Sequence, residues 1–385
     1  MRRGAAAPLA AAALGAAAFG LHVRRNMGAR IAVLRRAAST SPHASDGAFA
    51  NREPGLPRPD VTVRQVATMV LRRREQGSPP GPVPLTTDPV LSGRAALAAT
   101  WFGHTSVLLE IDGRRVLTDP VWSTRTSPVP GFGPRRLHPP PVALHALGEV
   151  DVVLVSHDHY DHLDRPAVVA LARGTGATFV VPLGVGAHLR SWGIAAARIV
   201  ERDWDGVATV AGLTFTCLEA RHFSGRGFRR NTTQWAAWKV AGPVHAVYVA
   251  GDTGASAVHA RTGAEHGPFD LTLVPVGAYA ELWPDIHTTP EEAVAAHLAL
   301  RGGVLLPVHW ATFALGFHRW AEPAERTLRA AAAHGVRVAL PRPGQRLRIP
   351  DGATEHADRG SGSPWWREIA PVTDDPVLGG AAASV

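Results

Sequence analysis

Short apolar runs ended by polar or glycine-containing turns recur along most of the chain from residue 98 onward. The clearest is Val152-Val153-Leu154-Val155, β-branched almost throughout, which predicts a strand buried on both faces. Runs at 105–111 and 115–118 read as two strands joined by a turn at Asp112-Gly113. Further strand-like runs lie at 178–181, 207–218, 234–240, 244–250, 271–276 and 303–308. Helical spacing appears instead at 61–74, 164–173, 290–300 and 322–334. Pro290 with Glu291 and Glu292 suits a helix start, where the ring fits the first turn and the carboxylates meet the positive dipole end. Proline and glycine between 123 and 141 exclude a regular element there. Early strands followed by alternating strands and helices predict an α/β fold, a four-layer αβ/βα sandwich. The segmentation that follows is an Ala-rich basic leader or membrane-associated segment at 1–37, a linker at 38–60, one folded body at 61–350 and a flexible tail at 351–385, whose Trp365-Trp366 pair is a candidate docking point.

Composition changes this picture little, and charge changes it once. With 45 % hydrophobic residues in 385, the chain can bury one large core. The net charge of +8 suggests a nucleic-acid partner until its placement is considered. Arg2, Arg3, Arg24, Arg25, Arg30, Arg35 and Arg36 precede the first acid, Asp46, and removing that +7 leaves the rest at +1. Nucleic acid is therefore set aside. Cys217 is the single cysteine, so neither a disulfide framework nor a cysteine zinc cluster is available. Residues 4–21 are uncharged and rich in alanine between arginine pairs. They fit a membrane-surface segment or anchor, a secretory leader, or a plain Ala-rich start, and location stays open between a membrane and the cytoplasm.

The chemistry concentrates at the end of the 152–155 run. Ser156 leads into His157-Asp158-His159-Tyr160-Asp161-His162, three histidines and two aspartates in six residues. Imidazole nitrogen and carboxylate oxygen are the donors that zinc and related ions take. His157 and His159 alternate along an extended segment and can face one ion; Asp161 and His162 follow a bend and can face a second. Three other apolar runs end in candidate donors: His222 after 214–218, Asp252 after 246–250 and His309 after 304–308. A carboxylate such as Asp252 can bridge two ions roughly 3.5–4 Å apart around a shared hydroxide. His104 and Asp119 are candidates for orienting ligands, or for ordinary buried hydrogen bonds. His43, His138, His145, His188, His245, His259, His266, His297, His318 and His334 lack such a setting and read as surface or core residues.

The H-x-H-x-D-H pattern resembles the metallo-β-lactamase superfamily. Trp101-Phe102-Gly103-His104-Thr105, Leu117-Thr118-Asp119-Pro120, Ala250-Gly251-Asp252-Thr253-Gly254, Pro290-Glu291-Glu292-Ala293 and His309-Trp310-Ala311-Thr312-Phe313 look more narrowly like the N-acylphosphatidylethanolamine-hydrolysing phospholipase D group. That resemblance spans roughly residues 60–325 and implies a phosphodiesterase with two zinc ions acting on a lipid. It implies that one zinc takes His157, His159, His222 and Asp252, and the other Asp161, His162, Asp252 and His309. It also implies Tyr160 and His287 as substrate contacts, and a metal-bridging hydroxide that attacks phosphorus. Arg226, Arg229 and Arg230 are candidates for attracting an anionic substrate, a solvated basic loop being the plainer reading. Residues 280–286 are shorter than in the animal enzymes, and the loop 223–231 is more like lactone-opening bacterial relatives. A lactone or ester hydrolase with the same metals is therefore the alternative, and a non-catalytic membrane-associated scaffold the third.

Overall fold

Two β-sheets lie face to face with helices on their outer sides. The computed structural model describes residues 6–57, 62–87, 93–227, 229–350 and 364–370. The chain opens with helices α1 (Ala6–Met27) and α2 (Ile31–Ala38), a small hairpin of β1 (Ala44–Ser45) and β2 (Ala48–Phe49), and helix α3 (Val63–Gln76). The first sheet takes β3 (Leu97–Trp101), β4 (Val107–Ile111), β5 (Arg114–Thr118), β6 (Val152–Leu154), β7 (Thr178–Pro182) and β8 (Ile199–Arg202), with helices α4 (Arg165–Gly174) and α5 (Val185–Ser191) interleaved. The second takes β9 (Val207–Val210), β10 (Leu213–Leu218), β11 (Ala237–Ala241), β12 (Ala246–Val249), β13 (Phe269–Pro275) and β14 (Gly302–Val308), with α6 (Val258–His266) and α7 (Pro290–Ala299). Helix α8 (Glu322–His334) follows, and β15 (Arg346–Arg348) returns to the edge of the first sheet. The orders are β15-β3-β4-β5-β6-β7-β8 and β14-β13-β12-β11-β10-β9. β5 to β8 and β12 to β14 run parallel; the other neighbours are antiparallel.

Side-chain alternation builds the layers. Val107, Leu109, Val152, Leu154 and Val180 face the second sheet's Phe215, Trp238, Val247 and Leu271 in one core. Leu108, Leu117, Val153, Val155, Phe179 and Val181 face outward and form a separate core with Val168, Leu171 and Leu189 of α4 and α5. Both faces are covered, which is why these strands read as unbroken apolar runs. The expected four-layer α/β sandwich is the fold.

Some elements depart from the sequence expectation. The run 207–218 is two strands, because Ala211 (φ 52°) and Gly212 (φ 79°) make a tight turn in its middle. Residues 38–57, linker-like in composition, lie against the body: Ala38 and Phe49 are buried, and the Phe49 amide donates to Asn231 O at 2.8 Å. Residues 58–60 lie outside the described residues. In the expected tail, Trp365 and Trp366 are buried beside Trp310, and the Trp366 indole donates to Glu325 Oε1 at 2.7 Å. Residues 351–363 and 371–385 lie outside the described residues. Among the described residues no helix is long and apolar enough to cross a membrane.

Candidate metal centre

Strand ends of both sheets deliver the candidate donors to one edge of the sandwich. β6 leads into His157–His162, β10 into His222, β12 into Asp252 and β14 into His309. His104 comes from the turn between β3 and β4, and His287 from the segment before α7. Close backbone contact helps: a Cβ on Gly251 would meet the Ser156 side chain at 2.4 Å, so only glycine brings Asp252 this near the loop. His104, Asp119 and His309 hold positive φ (52°, 35° and 64°), a conformation costing on the order of 1–3 kcal/mol each and found mostly where structure around a site enforces it.

Two donor clusters result. His157, His159, His222 and Asp252 bring one ligand atom each within 4.8 Å of the others. His157 Nε2 lies 2.8 Å from His159 Nδ1, which is 3.3 Å from His222 Nε2. His104, Asp161, His162 and His309 form the second cluster, and Asp252, His287 and His309 meet in an overlapping third. Asp252 ties them together, with its carboxylate 3.1 Å from His162 Nε2, 3.3 Å from His309 Nε2, 3.6 Å from His222 Nε2 and 3.9 Å from His157 Nε2.

Neighbouring groups aim the rings. Asp119 accepts from the Ser156 amide and hydroxyl, both at 2.7 Å, and from His162 Nδ1 at 2.9 Å. The Ser156 hydroxyl, its proton given to Asp119, accepts from His157 Nδ1 at 2.9 Å. His222 Nδ1 donates to Ile286 O at 3.1 Å. Each bond makes Nδ1 the ring's donor and turns Nε2 toward the cluster, the orientation a metal-binding imidazole needs.

Charge is balanced tightly. Burial and the neighbouring histidines hold His157 well below its ordinary pKa; burial does the same for His222, against the pull of Asp252. Burial opposes charge on His162 and His309 too, yet Asp252 and Asp161 raise both, His309 to about 9. Burial would raise Asp161 and Asp252, but the facing histidines hold both well below the usual carboxylate range.

These residues fit a metal. Among the described residues, the buried atoms His162 Nε2, His309 Nε2, Asp252 Oδ1 and His287 Nδ1 have no hydrogen-bond partner. Buried polar atoms without partners are costly, and a cation held by these atoms removes that cost.

The positions expected from sequence fall as follows. All seven candidate ligands, His157, His159, Asp161, His162, His222, Asp252 and His309, come together. His287, expected as a substrate contact, sits among the donors, its Nδ1 3.8 Å from Asp252 and its pKa lowered by burial to about 4. Tyr160 adjoins them on the loop, and its hydroxyl donates to Arg226 O at 2.7 Å. Arg226, a candidate for attracting an anion or a member of a solvated loop, is instead buried in the wall; Arg229 and Arg230 are exposed, Arg230 over the Phe223 ring. His104 was placed only as a supporting group, yet it joins a donor cluster, 3.0 Å from Asp161. Asp158 and His188 were missed: they pair at 3.2 Å behind the loop. The one available signal for His104 was its place at a glycine turn closing a buried strand.

Comparison with known proteins agrees with this geometry. The model of the beta-lactamase superfamily domain matches residues 114–310. An uncharacterised protein of Mycobacterium tuberculosis is 52 % identical over 349 residues, 89 % of this chain and 91 % of that one. A UPF0173 metal-dependent hydrolase of Pyrobaculum islandicum is 30 % identical over 250 residues, 65 % of this chain and 98 % of the relative. N-acyl-phosphatidylethanolamine-hydrolyzing phospholipase D 1 of Caenorhabditis elegans is 37 % identical over 234 residues, 58 % of this chain and 66 % of the relative. The chain belongs to the metallo-β-lactamase superfamily, as one of its metal-dependent hydrolases.

Proposed function

We propose that the protein is a binuclear zinc phosphodiesterase of the N-acylphosphatidylethanolamine-hydrolysing phospholipase D type, acting on a lipid phosphodiester at a membrane surface. One observation carries the two-metal reading: Asp252 stands within 4 Å of histidines from both clusters. The likeness to the Caenorhabditis elegans phospholipase supports the substrate class.

His157, His159, His222 and Asp252 would hold one ion; Asp161, His162, His309 and Asp252 would hold the other. Zinc bound there supplies Lewis acidity toward a phosphoryl group and makes water a nucleophile at neutral pH. The protein's own part is orientation. Asp119 and Ser156 fix His162 and His157, and Ile286 O fixes His222. His287, neutral at pH 7 with its pKa near 4, is a hydrogen-bonding group for the phosphoryl oxygens rather than an acid. Tyr160 forms the adjoining wall, held by its bond to Arg226 O.

One observation favours a second reading. Arg226 is buried, so less positive charge reaches an anionic substrate than the three arginines of this loop suggest. A neutral ester or lactone would need none. The test is a parallel assay of the purified, metal-analysed protein on N-acylphosphatidylethanolamine vesicles and on a lactone panel. Diester cleavage is expected; lactone turnover without diester cleavage would overturn the phosphodiesterase reading.

A further inference from the structure

Arg226 carries a buried charge that no carboxylate neutralises at ion-pair distance among the described residues. Its guanidinium donates instead to three backbone carbonyls. Nη1 reaches Asp158 O at 2.8 Å and Leu163 O at 2.7 Å. These two carbonyls bracket His159, Asp161 and His162. Nη2 reaches Asn26 O at 2.8 Å, at the end of α1. The same guanidinium lies 4.0 Å from the Tyr160 ring centroid, and the Tyr160 hydroxyl donates back to Arg226 O. A charged donor to carbonyl oxygen makes a stronger bond than a neutral one, and a planar fork holds its acceptors at fixed angles.

A second chain of bonds runs beside it. The Ala29 amide donates to His188 Nδ1 at 3.0 Å, so that nitrogen bears a lone pair and the ring proton is on Nε2. Nε2 donates to Asp158 Oδ2 at 3.2 Å, and Asp158 Oδ1 accepts from the Gly225 amide at 2.7 Å. The Trp192 indole donates to Arg25 O at 2.7 Å and holds the same N-terminal stretch. Gly28 makes the fit close: with φ +88°, a Cβ there would stand 2.2 Å from His188 Nδ1.

We infer that Arg226 is the positioning residue of the loop 158–163, and that residues 25–29 complete its grip by seating on Arg226 and His188. The segment that reads as a detachable leader thereby supports the donor set. Without Asn26 O, one arm of the guanidinium lacks its acceptor; without the Ala29 amide, the His188 proton is free to move to Nδ1 and release Asp158. Arg226 acts here through the backbone, not on substrate. The inference rests on the metal-centre reading above for its effect on affinity, but not for its effect on the loop.

The experiment uses the full chain and two variants, Gly28→Ala, which lifts the strap, and Arg226→Lys, which keeps charge but loses the fork. Gly20→Ala is the control, since nothing lies within 4 Å of that Cβ. Two quantities are read: hydrogen exchange of amides 158–163 in the metal-free protein, and Zn2+ affinity by competition with a chromophoric chelator. Both variants should speed exchange across 158–163 and weaken Zn2+ binding by about 10–100-fold, the usual effect of removing a group that orients ligands, with the control unchanged. Exchange and affinity within twofold of wild type would overturn the inference. So would a fall in melting temperature alone, because the strap would then serve general stability. If wild type takes up no Zn2+, the metal reading fails, and the exchange measurement still decides the strap.

Discussion

The two donor clusters share Asp252 but hold charge in opposite ways. Around His157, His159 and His222, burial outweighs the nearby carboxylates and keeps the rings neutral. Around His162 and His309, Asp252 and Asp161 outweigh burial and keep protons on the rings. The difference comes from where the Asp161 carboxylate sits: it lies 3.5 Å from both His162 Nε2 and His309 Nε2. The first cluster is thus ready to receive a cation, whereas in the second a proton occupies the lone pair a cation needs. A metal entering the second must expel protons, and its affinity must depend on pH.

Removing the shared group should have the largest effect. Asp252→Ala takes a carboxylate from both clusters, and turnover and tight binding of both ions should fall by more than about 100-fold, beyond what losing an orienting group costs. Turnover with two ions retained per chain would break the comparison. Acidity should separate the clusters next. His309 has a raised pKa near 9, so its proton competes at every pH below that value and more strongly as pH falls. His157 and His222 have lowered values and stay neutral well below 6.5. Between pH 8 and 6, zinc titration by calorimetry should therefore show one step weakening by about tenfold per pH unit for each proton expelled, with the other nearly constant. Two steps of equal pH dependence would contradict the assignment. The smallest effect on either cluster should come from Phe179→Ala, a fully buried residue in the outer core under α4 and α5. It should lower stability by about 3–5 kcal/mol in denaturant unfolding, yet leave both zinc affinities within twofold. A selective loss at one cluster would show that the outer core helps to set it.

How much of this was legible depends on how local each signal is. The loop 157–162 announces itself because its donors are adjacent, and His222, Asp252 and His309 because each follows a buried strand. His104 was half legible: its place near a strand end was visible, but its 3.0 Å approach to Asp161 depends on a fold contact across 57 positions. The Asp158–His188 pair was hidden for the same reason. Arg226 misled because its neighbours Arg229 and Arg230 are solvent-facing, while its own guanidinium turns inward to carbonyls. Residues 38–57 have a linker's composition, and a few side chains anchor them: Phe49 in the core, and Asn51, whose amide bonds the His222 backbone in both directions at 2.9 and 3.1 Å. The turn at Ala211-Gly212 was masked by valine and leucine on both sides.

Anomalous diffraction at the zinc absorption edge, from crystals of the full chain grown with zinc at pH 8, tests the shared-carboxylate centre most directly. Two peaks are expected, one on each side of the Asp252 carboxylate, the first against His157, His159 and His222 and the second against His162 and His309. A single peak, or a pair of which Asp252 touches only one, would contradict it.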